Sequence, residues 1–357
     1  MTSGLELREV DAAADDGVRN SQPEGIGRVA ALDGLVCWNN LGRNVVFADR
    51  AFRPRAIFGT TLFPDEDEPS QYDLDVHSIL EEPELGLVLV LNHLGAVRGF
   101  RHRDILERAN GRAIEPSILW WFLADVERTV TVAGRLVGSA PRSDGGVGLL
   151  VSSSLEDLPD RASIPTRLEA LAFGEVTALA AVPSDDGPLI AIGGVAKVAL
   201  LPLIDDEVGR PRWEADLGFR VAALAWHRGV LWAAGPDCEE TVDDYDWERL
   251  GGGGYAALDP TNGATVMGGP LPTDVAWGSG GVAVAPFGDL LVVAGRTGCL
   301  HLIDPRQDAW LRSTSSLAGA SLGIAHTAVV GDQVLCGFNR GGYRLHSFTQ
   351  SAWESDS

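Results

Sequence analysis

Short apolar runs, each bounded by Gly, Asp, Asn or Pro, recur along the chain in one fixed order. "VAALDGLVCWNNLGRNVVFAD" (29–49) places two apolar runs on either side of an Asp-Gly turn, then an Asn-rich gap and a third run; "TAVVGDQVLCGFNRGGYRLHSF" (327–348) repeats the rhythm. Runs of this length between turn residues read as β-strands rather than helices. Seven segments share the outline, with first strands beginning at Val29, Val76, Val130, Val176, Val221, Val282 and Ile324. The units therefore start near residues 27, 75, 130, 176, 221, 282 and 324. A period of roughly fifty residues is the size of a four-stranded propeller blade.

Within each unit a tight turn joins the first two strands, as in "DG" before "LVCW", "HRG" before "VLWAAG" and "GDQ" before "VLCGF". This is hairpin chemistry. Third strands follow a glycine-containing gap ("NVVFAD", "VGLLVSS", "YAALDP"), and more polar fourth strands suit the outer edge of a blade. After the last third strand only "TQSAWESDS" remains, so "LELREV" (5–10) is expected to supply the outer strand of the last blade, with 11–25 as a linker. The predicted fold is thus an all-β, seven-bladed propeller of four-stranded antiparallel blades, residues 1–357 forming one domain closed by its N-terminal strand. One helix is expected over 103–112, with Asp104 as N-cap and Asn110-Gly111 as its stop. The greasy "SILWWFLA" (117–124) then returns as an outer strand, packed under that helix or serving as a contact patch.

Composition narrows the functional classes. A net charge of −22 opposes contact with nucleic-acid phosphates and anionic lipid, so neither nucleic acid nor membrane is an expected partner. The N-terminus has no basic start followed by an apolar core, which makes the cytoplasm the expected location. Cys37, Cys238, Cys299 and Cys336 form no C-x-x-C; they read as reduced thiols, and a Cys37–Cys336 bridge is disfavoured by the spacing of neighbouring blades. No cofactor and no metal are expected. The acidic stretch around Asp244 fails as a calcium loop, with Arg249 where glycine is needed and Tyr255 where a bidentate glutamate belongs. "GIGRVA" (25–30) opens a strand rather than a helix, so it is no dinucleotide loop.

In a propeller, the connections between strands two and three, and from strand four to the next blade, share one face. That face receives the unusual residues, while the opposite face is expected to hold mostly tight turns. Asn40, Asn92 and Asn339 recur at the end of strand two, beside Arg43, His93, Arg142, Arg296 and Arg340. Their amides and guanidiniums suit an anionic ligand or peptide carboxylate, although Asn-Gly turn chemistry accounts for the asparagines alone. The insertion at 236–254 holds Asp244, Asp246 and Trp247 before four glycines and reads as a lid, a docking loop or a solvated acidic loop. Trp277 lies in another long connection of the same face.

On these repeats, and on the third-strand endings "YAALDPTNG" (255–263) and "LHLIDP" (ending at Pro305), the chain resembles the seven-bladed propellers of the WD-repeat-like and quinoprotein-like superfamilies. The resemblance spans nearly the whole chain as architecture. No repeat ends in Trp-Asp or opens with Gly-His; Asp49, Asp259 and Asp304 hold the family's aspartate position. No catalytic residue and no quinone carries over.

The expected function is a non-catalytic scaffold that binds a protein or peptide through the loop-rich face. Trp247, Trp277 and Arg340 would anchor it, and the acidic loops would steer a basic partner. The alternative is a propeller enzyme of lyase or lactonase type, with carboxylates, amides and a histidine such as His326 converging on the axis, around a divalent cation in one version.

Overall fold

The computed structural model describes residues 7–10, 26–40, 44–51, 53–59, 76–92, 95–122, 126–143, 146–171, 173–204, 207–235, 238–240, 247–249, 253–271, 283–287, 290–294, 300–304, 309–313, 324–330, 333–338 and 343–348. They form an all-β propeller of antiparallel sheets. Six sheets of four or five strands are each begun by one repeat. Their innermost strands are Ile26–Leu32, Val76–Glu82, Arg128–Val132, Ala178–Val182, Ala223–His227 and Ala283–Phe287. A further four-stranded sheet unites the two ends of the chain: Ile324–Val330, Gln333–Phe338, Tyr343–Phe348 and, on its outer side, Leu7–Val10. Leu7 pairs with Phe348 and Val10 with Leu345. Sheets are numbered below in the order of their innermost strands. The strands that follow Val176 and Val221 start two residues later than the sequence suggests, and both valines are buried between sheets.

The apolar residues collect between sheets rather than inside them. Phe47 and Cys37 of sheet 1 meet Val88 and Phe100 of sheet 2, with the Phe47 and Phe100 ring centroids 5.0 Å apart. On the other side of sheet 2, Leu87, Leu89 and Leu91 pack against Leu136 and Leu150 of sheet 3. Alternate residues of a middle strand thus feed two different seams. This is why Leu87–Asn92, Leu189–Gly193 and Gly254–Leu258 are buried at every position instead of every second one. Burying each leucine, isoleucine or valine among them contributes about 1.5–3 kcal/mol. Cys37 is a free, fully buried thiol whose pKa burial pushes well up, an effect that Glu81 reinforces.

Hydrogen bonds cross the same seams near the axis. Asp33 N–H donates to both carboxylate oxygens of Glu81 at 3.1 Å. Thr129 Oγ1 donates to Ser78 Oγ and Thr131 Oγ1 to the Glu81 carbonyl, both at 2.7 Å. Arg128 Nε reaches the Thr177 carbonyl at 2.9 Å, and Thr177 Oγ1 reaches that of Val221. At the rim, Trp120 Nε1 donates to the Pro159 carbonyl and Trp213 Nε1 to that of Pro260, each at 2.8 Å and each from an outer strand to the next sheet's turn. Gly263 (φ +73°) seats the Trp213 indole, which lies where a Cβ would stand.

The first-to-second strand turns are two-residue hairpins where the sequence has "AG" and "RG": Ala133 and Gly134 (φ 47° and 70°), and Arg228 and Gly229 (φ 53° and 77°). Positive φ at both positions matches the twist of the flanking strands. The expectation that this face holds mostly tight turns meets two exceptions. The third-to-fourth connections of sheets 2 and 3 are long and wrap outward to cover a neighbour's edge. Arg112–Ala113 pairs in parallel with Ala56 and Ile57 of sheet 1, and Arg161–Ser163 in parallel with Leu119–Trp121 of sheet 2. The helix is shorter than expected, His102–Leu106; its N-cap is Arg101, with Asp104 inside the first turn. Its Ile105 is buried in the seam of sheets 1 and 2, so the helix does not cover the strand Ile118–Trp121. The extra strand beside that edge, and the Trp120 bond, do so instead.

The aspartates that end third strands are turn-builders. The Asp49 carboxylate accepts from Ala51 N (2.9 Å), Arg53 N (3.1 Å), Arg53 Nε (3.0 Å) and Arg55 Nη2 (2.8 Å). Burial pushes its pKa up, but these bonds outweigh burial and hold it below the usual carboxylate value. A lowered folded-state pKa gives stability that is present above the unfolded pKa and is lost as pH falls through the folded one. Asp49→Ala is therefore expected to cost about 2 kcal/mol at neutral pH. In denaturant titrations the gap from the parent should shrink below roughly pH 4; a gap that stays constant down to acid pH would contradict this account.

Candidate functional site

The innermost strands divide into two kinds. Those of sheets 1 and 2 and of the end-joining sheet are seven residues long, whereas those of sheets 3 to 6 have five. Each long strand also carries a register shift one residue from its start, between Ile26 and Arg28, Val76 and Ser78, and Ile324 and His326. A bulge re-aims the residues after it and is favoured at rims beside sites. The mouth of the axis on the loop-rich face is therefore asymmetric, with three neighbouring sheets reaching further than the rest. His77, the bulge residue of sheet 2, is buried (3 % exposed).

Asn40 and Asn92 stand on this rim, as the sequence proposes: they pair with Ile26 and Val76, the residues just before two of the bulges. Asn92 is buried, and its Oδ1 accepts from Ala96 N at 2.8 Å. Gly95 (φ +80°) donates its N–H to the Asn92 carbonyl at 3.2 Å. Oδ1 is thus committed to closing the turn, as turn chemistry alone implies. Asn39, which the sequence reading passed over, is 1 % exposed, and neither its Oδ1 nor its Nδ2 has a hydrogen-bond partner among the described residues. Arg98 lies on the same side of sheet 2 as Phe100, its guanidinium 5.9 Å from the Phe58 ring centroid of sheet 1. The cue to Asn39 was that its parity matches Cys37 and Leu35, which places it in a seam rather than over the axis.

Arg142 is half-buried at the end of its strand, where its N–H closes the loop on the Gly146 carbonyl at 2.7 Å. Trp247 belongs to a two-stranded ribbon raised from the sheet 5 insertion, Cys238–Glu240 against Trp247–Arg249, with Trp247 opposite Glu240 and Glu239 opposite Glu248. His93, Asp244, Asp246, Trp277, Arg296, Asn339 and Arg340 lie outside the described residues. His326 pairs with Gly337 just after its bulge.

Two buried titratable groups, Glu82 and His227, sit at the other end of the axis. Burial raises the pKa of Glu82, a shift that the Glu84 charge adds to and the Glu84 N–H opposes. Burial lowers that of His227, with Arg228 adding to it. Both residues end their innermost strands at the turn face. Among the described residues no group of three His, Cys, Asp or Glu side chains is placed to hold a metal ion. No described helix is long and apolar enough to cross a membrane. Two cavities have described walls, both at seams: about 280 Å³ between sheets 3 and 4, lined by Phe173, Leu201 and Val208 among others, and about 310 Å³ between sheets 4 and 5.

No family model matches the chain, and no curated protein matches it. Among solved structures it is similar to the WD40 β-propeller domain of Doa1 (TM-score 0.62, 12 % identity, covering 99 % of this chain and 100 % of that one). The Neurospora crassa Pan2 WD40 domain is similar too (TM-score 0.62, 11 % identity, 92 % and 90 % covered), as is the computationally designed Ika8 protein (TM-score 0.57, 11 % identity, 97 % and 100 %). At such identities the likeness establishes a WD40-like β-propeller fold alone.

The Asn92 Oδ1 is spent on the turn, which gives this side chain a structural task. Asn92→Ala should lower unfolding free energy by about 1 kcal/mol, read by chemical denaturation, and leave partner capture unchanged; a loss of capture at unaltered stability would return Asn92 to the binding surface.

Proposed function

We propose that this chain is a non-catalytic interaction scaffold, a seven-bladed ring zipped by its N-terminal strand, which binds a protein or peptide on its loop-rich face. The observation that carries the reading is the asymmetric mouth with its three long, bulged inner strands; the sheet 5 insertion adds a two-stranded ribbon that bears Trp247. The pairing of Leu7–Val10 with Tyr343–Phe348 supports the ring, and the packing of Ile324–Val330 beside Ile26–Leu32 agrees with it. Similarity to WD40 domains favours an interaction role, though propellers also host enzymes. Trp247, Trp277 and Arg340 are the anchors, since aromatic and arginine side chains dominate binding energy at interfaces. The acidic charge steers a basic partner, and the cytoplasm is the expected setting.

The tagged protein and a Trp247→Ala, Arg340→Ala double variant, captured side by side from native lysate, test the reading. A stoichiometric partner held by the parent and lost by the folded variant is the expected result. Retention indifferent to both substitutions, or turnover of a small molecule in the axial mouth, would overturn it.

A further inference from the structure

Sheets 1 and 2 bear a fifth strand on their outer edges, and the chain itself supplies it. In sheet 1, Phe47 pairs with Ala56 and Ala48 with Pro54, leaving Arg55 as the extra residue of a bulge; the covering strand then lies on Ala56 and Ile57. Sheet 5 repeats this register. Ala257 pairs with Met267 and Leu258 with Thr265, leaving Val266 as the extra residue. Met267 and Gly268 therefore stand where Ala56 and Ile57 stand, yet no described strand covers them.

The edge also lacks the charge that its counterparts carry. The other outer strands without a parallel cover carry charge: Arg167 and Glu169 in sheet 3, Glu214 and Asp216 in sheet 4, Arg312 in sheet 6, Arg8 and Glu9 in the end-joining sheet. Charge on an edge strand discourages pairing with other chains. Thr265–Pro270, "TVMGGP", has none, and its Val266 is 59 % exposed. Beside it lies the cavity of about 310 Å³, walled by Gly268, Gly269, Tyr255, Phe219 and Asp216. Asp216 is exposed and forms no ion pair with a described residue.

We propose that Met267–Gly269 is a docking edge for an extended segment of a partner protein, which joins sheet 5 in parallel as its fifth strand and carries a basic residue to Asp216. Charge selects this occupant. A second copy of a chain at −22 would be repelled, whereas a basic segment is drawn in. The chain's own covering strands indicate the chemistry, since both begin Arg-Ala and are followed by a buried isoleucine, Ile114 or Ile164. The recognised segment is accordingly basic, then small, then β-branched. The glycines at 268 and 269 leave room for it to lie close.

A displayed library of random octapeptides, selected on the full chain, tests this, with affinity of the best peptide read by fluorescence anisotropy. The edge is blocked by Val266→Lys with Gly269→Lys. Val266 is exposed, and a Cβ at Gly269 meets only the Tyr255 ring at ordinary contact distance, 3.5 Å and beyond, so the fold tolerates both. Expected are peptides with the basic, small, β-branched order. Binding should be weakened roughly tenfold or more by the blocked edge, and made weaker and less salt-sensitive by Asp216→Asn. Trp247→Ala on the loop-rich face should leave it unchanged, which separates this edge from the site proposed above. Amide exchange should slow at 267–269 on binding. No enriched sequence, equal binding to the blocked edge, or a parent that is a dimer and becomes monomeric when the edge is blocked would each overturn the proposal.

Discussion

Packing between sheets is the constraint from which the rest follows. Each sheet is a single layer and has no interior of its own, so every middle strand must be apolar on both faces and must find a sheet on either side. Phe47 against Phe100, and Leu89 with its neighbours against Leu136, show one strand pair serving two seams. Near the axis, where strands crowd, threonine and main-chain hydrogen bonds take over from large apolar groups. At the rim the tryptophans close the seam, reaching across to a carbonyl in the next sheet's turn.

This arrangement leaves two kinds of surface for interaction. The loop-rich face owes little to the seams, so its connections vary in length and carry most of the chain's unusual residues. Outer edges are the second kind, and among the described residues they are treated unequally: two are covered by donated strands, four carry charge, and Thr265–Pro270 has neither. The long connections of sheets 2 and 3 answer an edge problem, which is why they fall on the face where tight turns were expected.

Much of the architecture was legible because its signals are local. A strand–turn–strand rhythm with Asp-Gly or Arg-Gly turns declares such hairpins, and the apolar-polar pattern near the N-terminus marked a strand, Leu7–Val10, which pairs with Tyr343–Phe348. What stayed hidden depends on register and neighbours. Asn39 is a buried amide, and that follows only once strand parity assigns it to the first seam. Asp104 has good N-cap chemistry, but the helix begins two residues earlier, directly out of the preceding strand. Parallel edge strands of two or three residues, such as Arg112–Ala113, leave too short a pattern to read from sequence. Of the proposed site residues, Asn92 proves to be part of a turn, and Trp247 stands on a ribbon where a loop was expected.

If the seams hold the molecule together, neighbouring sheets should open together. Gly263→Ala places a methyl group where the Trp213 indole lies, 2.6 Å from its nearest ring atom, and strains a positive φ, so it disturbs the seam between sheets 4 and 5 without touching the main-chain ladder of either. Native-state hydrogen exchange of this variant is the most direct measurement. The account predicts that amides in Leu189–Gly193 of sheet 4 and Val230–Gly235 of sheet 5 lose protection by equal free energies, about 1–2 kcal/mol for forcing a non-glycine residue into the left-handed region. Loss confined to sheet 5, with sheet 4 as protected as in the parent, would mean that the sheets stand independently and would contradict it.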